Sequence, residues 1–142
     1  MMISTRNQFQ GKVKAIHGGA VNDEIVVGVA SGREIVAIIT ESSTKNLALT
    51  EGSDVVVLVK ASSIILATDI QGLVFSARNQ ISGVVAVVTQ GAVNSEVVID
   101  AGNDLQISAI ITNVSFDNLG LKVGAAVTAI FKASSVIIAA KA

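Results

Sequence analysis

The chain has 142 residues and a formal net charge of −1 at pH 7, from 10 Lys plus Arg against 11 Asp plus Glu. It is 51% hydrophobic and 15% charged, with 12 Gly, four Phe and no Pro, Cys, Trp or Tyr. This excludes intrinsic disorder, a disulfide framework, a thiolate metal site and a cysteine nucleophile, and it supplies no global field toward nucleic acid or an anionic membrane.

Short runs rich in Val and Ile, separated by Gly, Asn, Asp and Ser, predict strands near 6–16, 21–30, 34–40, 53–60 and 62–68. Gly18-Gly19 and Ser31-Gly32 supply turns. Between the third and fourth strands, residues 42–49 carry capping hydroxyls and then apolar side chains, with Gly52 beyond. They predict one short helix. The run Val55–Val59 ends at Lys60, well short of the roughly 20 apolar residues of a spanning helix. The opening segment, Met1 to Asn7, has no basic region leading into an apolar stretch. The expectation is a cytoplasmic protein with no secretory signal.

The same pattern then recurs. A shift of 72 residues aligns Ser4–Ala67 with Ser76–Ala139 without a gap, with 29 of 64 positions identical. Arg6-Asn7-Gln8 matches Arg78-Asn79-Gln80, and Gly19-Ala20-Val21-Asn22 matches Gly91-Ala92-Val93-Asn94. Ile38-Ile39-Thr40 matches Ile110-Ile111-Thr112, and Lys60-Ala61-Ser62-Ser63 matches Lys132-Ala133-Ser134-Ser135. The expected organisation is two units, 1–70 and 71–142. Five strands with a helix between the third and fourth follow the order of an OB-type barrel. The fold class is therefore all-β: two tandem OB-like five-stranded Greek-key barrels, each with one short helix. Ile35–Ile39 and Val55–Val59 are apolar on both faces, more than a barrel of this size can hide. A second copy has to cover them, between repeats and between chains.

The duplication also sorts the polar residues. Only Arg6/Arg78 and Lys60/Lys132 are cationic in both units, and only Glu24/Glu96 is acidic in both. Hydroxyls recur at Ser4/Ser76, Thr40/Thr112, Ser43/Ser115, Ser62/Ser134 and Ser63/Ser135. A tetrahedral dianion needs many short donors and enough positive charge to offset desolvation, with few acceptors nearby. One Lys, one Arg and several hydroxyls per unit meet that need. The helix start near Thr40 and a nest of backbone N–H groups at Gly19–Asn22 could add donors.

These strings carry a family resemblance. Ser4-Thr5-Arg6-Asn7-Gln8 and Ser76-Ala77-Arg78-Asn79-Gln80 resemble the S-A-R-N motif of Mop domains, and the later Gly-Ala-Val-Asn and Lys-Ala-Ser strings fall in the family's order. Thr5 departs from the motif's Ala. Two such units resemble the molbindins. The resemblance implies a homotrimer of two-unit chains that binds molybdate or tungstate between units, for molybdenum storage or homeostasis. It implies a main oxyanion site drawing on Ser4, Arg6, Lys60, Ala61 and Ser62, with Thr40 and Ser43 from a neighbouring unit. Its counterpart would use Ser76, Arg78, Lys132, Ala133 and Ser134, with Thr112 and Ser115. A second type of anion site would lie near Gly19, Ala20, Val21 and Asn22, and near Gly91, Ala92, Val93 and Asn94. No organic cofactor and no bare metal cation is implied, and the DNA-binding and ATPase modules of related proteins are not expected here.

Other function classes fit less well. A nucleic-acid binder of this fold needs stacking aromatics and a basic groove, yet Phe9, Phe75, Phe116 and Phe131 do not recur between units. An enzyme needs a nucleophile–base pair or a metal centre, and His17, the single histidine, faces Thr89 in the other unit. The remaining rival is a self-assembling structural β-barrel protein without a specific ligand, in which Arg6/Arg78 pair with carboxylates and Thr40/Thr112 only cap helices.

Overall fold

The structure, a computed structural model, describes residues 2–102 and 104–141. The first repeat forms β1 (Asn7–Gly18), β2 (Asn22–Gly28), β3 (Glu34–Thr40), α1 (Glu41–Asn46), β4 (Asp54–Val59) and β5 (Ile65–Ala67). The second forms β6 (Asn79–Gln90), β7 (Asn94–Asp100), β8 (Gln106–Thr112), α2 (Asn113–Leu119), β9 (Ala126–Phe131) and β10 (Ile137–Ala140). Each barrel therefore has five strands and a short helix, the expected class.

The connectivity adds a feature the repeats do not reveal. One sheet runs β10-β4-β1-β2-β3 and the other β5-β9-β6-β7-β8, so each barrel takes its fifth strand from the other repeat. Ile137 to Ala140 pair with Leu58 to Val55, and Ile65 to Ala67 pair with Ile130 to Thr128. The exchange follows from the turn after β4. Ala61–Ser63 form a 3-10 turn, with Ser63 N–H donating to Lys60 O at 2.9 Å and Ala61 buried, and this turn packs on β8 of the other repeat. The fifth strand consequently begins at Ile65 rather than near residue 62. The sequence boundary near residue 70 separates repeats but does not separate sheets.

Local chemistry explains the other boundaries. Ser31 and Gly32 adopt φ of 64° and 67°, which ends the second strand early. Thr40 caps α1, accepting from Ser43 N–H at 3.1 Å, so the helix starts at Glu41, one residue earlier than expected. It stops at Asn46, and Leu49 is buried in the core. Thr112 does the same for α2 at 3.1 Å. Strand β1 shifts register between Val13 and Ala15, and β6 between Val85 and Val87, matching bulges that bend each long strand around its barrel.

Val13, Ile25, Val27, Ile35, Ala37, Val55, Val57 and Val59 fill one barrel; Ile81, Val85, Val97, Ile99, Ile107, Val127, Ala129 and Phe131 fill the other. All belong to one continuous cluster. Val56 points out of its barrel and is still 2% exposed, its partner across the ladder being Ala139 of the exchanged β10. At Val56 the second apolar face of β4 is thus covered within the chain. Val21, Val93, Ile65 and Ile137 remain exposed at repeat-related positions. Among the described residues, no helix is long and apolar enough to cross a membrane.

Candidate functional site

Antiparallel pairing of β1 with β4 puts Asn7 opposite Val59. The residues just before β1, Ser4 to Arg6, therefore stand beside those just after β4, Lys60 to Ser62, despite a separation of more than 50 positions. A cavity of about 250 Å³ lies between them, lined by Ser4, Thr5, Arg6, Lys60, Ala61, Ser62 and, from the other repeat, Ile110. Its counterpart of about 180 Å³ is lined by Ser76, Ala77, Arg78, Lys132, Ala133, Ser134 and Ile38. Every main-site residue expected from the two motifs converges in these pockets, apart from the four hydroxyl residues of the helix caps.

Those four lie nearby but apart. Thr112 and Ser115 line an adjoining cavity of about 460 Å³, with Ile64, Ile65, Leu66, Ile110, Ile111, Asn118 and Leu119. Ile110 is a wall of both cavities, so repeat 2 delivers Thr112 and Ser115 to the flank of the repeat-1 pocket. Their hydroxyls bond each other at 3.0 Å, and those of Thr40 and Ser43 do so at 2.9 Å. Thr40 follows Ile38, the wall of the second pocket, by two residues on β3.

The second-type positions differ between repeats. Gly91 and Asn94 line a cavity of about 320 Å³ with Arg6, Thr89, Ser95, Glu96 and Ile110, whereas Ala92 and Val93 form the hairpin tip outside that lining. Gly91 N–H is taken by Asn94 O at 2.9 Å, and Gly19 N–H meets the Asp23 carboxylate at 3.3 Å. Neither glycine amide offers the open nest read from the sequence. Around Gly19, Ala20, Val21 and Asn22, the first repeat has Asp23 and Glu41 where the second has Ser95 and Asn113. Asp23 and Ser95 are both buried: the Asp23 carboxylate takes the Gly19 N–H, whereas the Ser95 hydroxyl donates to Asn113 Oδ1 at 2.6 Å.

Three pairs of residues that shape the pockets were not singled out from the sequence as site residues. Asn7 and Asn79 are buried, and each clamps a strand of the other repeat through both ends of its amide. Asn7 Nδ2 donates to Ser108 O and Asn7 Oδ1 accepts from Ser108 N–H, both at 2.8 Å; Asn79 makes the same pair with Val36 at 2.8 Å. Gln8 Nε2 donates to Thr5 O at 2.7 Å and Ile3 O at 3.0 Å, pinning the segment that carries Ser4 to Arg6. Gln80 holds Ala77 O likewise at 3.0 Å. The available signal was identity in both repeats. Glu24 and Glu96, the third pair, bind the arginines: Arg6 Nη1 lies 2.5 Å from Glu96 Oε2, and Arg78 pairs with Glu24.

The lysines are different. Among the described residues, no carboxylate lies within 4.0 Å of the Lys60 or Lys132 ammonium. Thr5 donates its hydroxyl to Val59 O at 2.7 Å, so its departure from Ala adds no free donor to the pocket. Away from the pockets, the Lys12 ammonium, hydrogen-bonded to Asp54 at 2.6 Å, holds that carboxyl below its ordinary value.

Known proteins resemble this chain in sequence and in fold. The TOBE domain family model matches residues 3–66 and again 76–138. The molybdenum transport protein ModE of Herbaspirillum seropedicae is 42% identical over 139 residues, 98% of this chain and 52% of its own length. The molybdenum-pterin-binding protein MopA of Rhodobacter capsulatus is 42% identical over the same share of this chain and 52% of its length. The chain thus spans about half the length of these curated relatives. A solved structure of the cytoplasmic molybdate-binding protein ModG, with molybdate bound, superposes with a TM-score of 0.96 at 40% identity and covers 99% of this chain and 100% of that one. The chain belongs to the TOBE-domain family, as a tandem-repeat member of the Mop kind.

Proposed function

We propose that this chain binds molybdate or tungstate as a non-enzymatic cytoplasmic protein of molybdenum storage or homeostasis. The observation that carries the reading is one pocket built twice, each with a lysine that pairs with no carboxylate among the described residues, two serines and the start of a 3-10 turn. The 40% identity to ModG over both full chains supports the ligand. Lys60 supplies the charge, and Ser4, Ser62 and the turn amides of Ala61 and Ser62 supply short donors that precede the turn's first internal bond. Lys132, Ser76, Ser134 and Ala133 repeat this set. Gly91, Asn94 and Ser95 form a second candidate position, and the carboxylates at Asp23 and Glu41 weigh against an equivalent at Gly19–Asn22.

The working form is a homo-oligomer, read as a trimer. The exposed Val21, Val93, Ile65 and Ile137 support further association, in which Thr40, Ser43, Thr112 and Ser115 of neighbouring units close the pockets. Donors spaced for metal–oxygen bonds sit too far from the smaller sulfate, so sulfate is rejected by size. Native mass spectrometry with molybdate, and with sulfate as control, tests this. A trimer that gains several molybdate masses and no sulfate supports the reading. A stable oligomer that gains no oxyanion leaves a structural self-assembling protein.

A further inference from the structure

The two cations of each pocket are not equivalent, and the difference lies in Glu24 and Glu96. Arg6 reaches Glu96 with one nitrogen, at 2.5 Å. Arg78 reaches Glu24 with two, Nη1 to Oε2 and Nη2 to Oε1, the latter at 3.2 Å. Both pairs cross between repeats. The glutamates are the fixed partners: their side chains are 17% and 23% exposed, against 67% and 51% for Arg6 and Arg78. Glu96 lies on β7 opposite Ile110, and Glu24 on β2 opposite Ile38, so each carboxylate stands one strand away from a pocket wall. A dianion entering a pocket therefore meets Lys and Arg offset by one carboxylate, and its claim on the guanidinium competes with a carboxylate already seated there.

We infer that Glu96 and Glu24 are built-in competitors for the pocket arginines and so act as residues that limit oxyanion affinity. This rests on the oxyanion-binding reading above. In the empty protein the carboxylate serves as the guanidinium's anion. An incoming oxyanion draws Arg6 or Arg78 away on its flexible stem, and the glutamate reclaims it on release. The internal competitor makes binding reversible without altering the short donors that judge ligand size. It acts more strongly at the second pocket, where two nitrogens have to be released.

Calorimetric titration of the full chain with molybdate at low ionic strength tests this, comparing the parent with Glu96→Gln and Glu24→Gln. Glutamine keeps the shape and removes the charge. Each variant is expected to tighten one class of site about tenfold, with the larger gain for Glu24→Gln. The gain should vanish in the Arg6→Gln/Glu96→Gln double variant. Lost folding cannot tighten binding, so a merely structural role would not produce this result. Affinity unchanged or weakened in glutamine variants with native circular dichroism would overturn the inference and leave the pairs as pins between repeats. So would a gain that persists without Arg6. If the parent and every variant bind no molybdate, the oxyanion reading itself fails and takes this inference with it.

Discussion

At the scale of single residues, the pockets separate charge for binding from polarity for construction. Lys60 and Lys132 sit at strand ends with exposed side chains and, among the described residues, no carboxylate within 4.0 Å, so their removal leaves no buried group orphaned. Lys60→Ala and Lys132→Ala should each weaken molybdate binding at one pocket by about tenfold or more, the loss of one charge-assisted contact. The stability of the anion-free protein should change by less than about 0.5 kcal/mol, as for exposed positions generally. Paired calorimetric and thermal-unfolding measurements check both halves. Unfolding of both variants would make the lysines structural. Asn7 and Asn79 give the opposite case. Asn7→Ala strips partners from Ser108 N–H and O at once, and the expected loss is about 2–4 kcal/mol in urea unfolding. Asn7→Asp retains the acceptor but cannot donate to Ser108 O, so it should also destabilise. A loss below about 1 kcal/mol for Asn7→Ala would mean that water replaces the clamp.

At the scale of elements, the long bulged strands set where the pocket residues emerge. β1 bends at its bulge and runs so close to β2 that a Cβ on Gly11 would lie 2.5 Å from Gly28 O and 2.7 Å from Val27 Cγ1. Gly83 on β6 has the equivalent crowding against β7. Gly11→Ala and Gly83→Ala should each destabilise by about 1–3 kcal/mol, the usual range for overpacking, although alanine suits an exposed strand better than glycine does. Thermal unfolding decides this, and an unchanged midpoint would show that the strands can separate at no cost. The helices are simpler. Thr40 and Thr112 were legible as caps because a hydroxyl three residues before Ser43 and Ser115 is the local requirement, and both make that bond. The extra length read into the first helix was not real, because Leu47 and Leu49 turn inward to the core rather than continue a helical stripe.

At the scale of the whole molecule, the decisive feature is the exchanged fifth strand. The first repeat alone would end in a β5 whose partner, β9, belongs to the missing half. It would also leave β4 without β10 along its free edge. An isolated fragment spanning 1–72 should therefore dimerise by trading β5 between copies, restoring both ladders. Sedimentation or light scattering checks this, and a folded monomeric fragment would mean that β5 can fold back onto its own β4. Exchange also explains why the pockets span repeats. The turn that holds Lys60 to Ser62 is the same turn that sends the chain to the other barrel, where it meets β8 and Ile110.

Several properties of this protein were determined by the sequence alone. Duplication exposed the strand order, the capped helices and the few polar residues kept twice, because local periodicity, turn chemistry and hydroxyl spacing act within short segments. The same duplication identified both halves of each pocket. Tertiary structure alone decided how those halves meet. It decided that Asn7 and Asn79 clamp the opposite repeat, and that Glu24 and Glu96 engage the arginines. It also set Thr112 and Ser115 in a cavity beside the Lys60 pocket, on the far side of Ile110. The reason is physical: each of these contacts joins residues far apart in the chain, and their energies depend on distance and burial after the fifth strands have crossed. Two identical motifs in sequence do not encode that crossing; a buried turn and the need to cover both faces of β4 do.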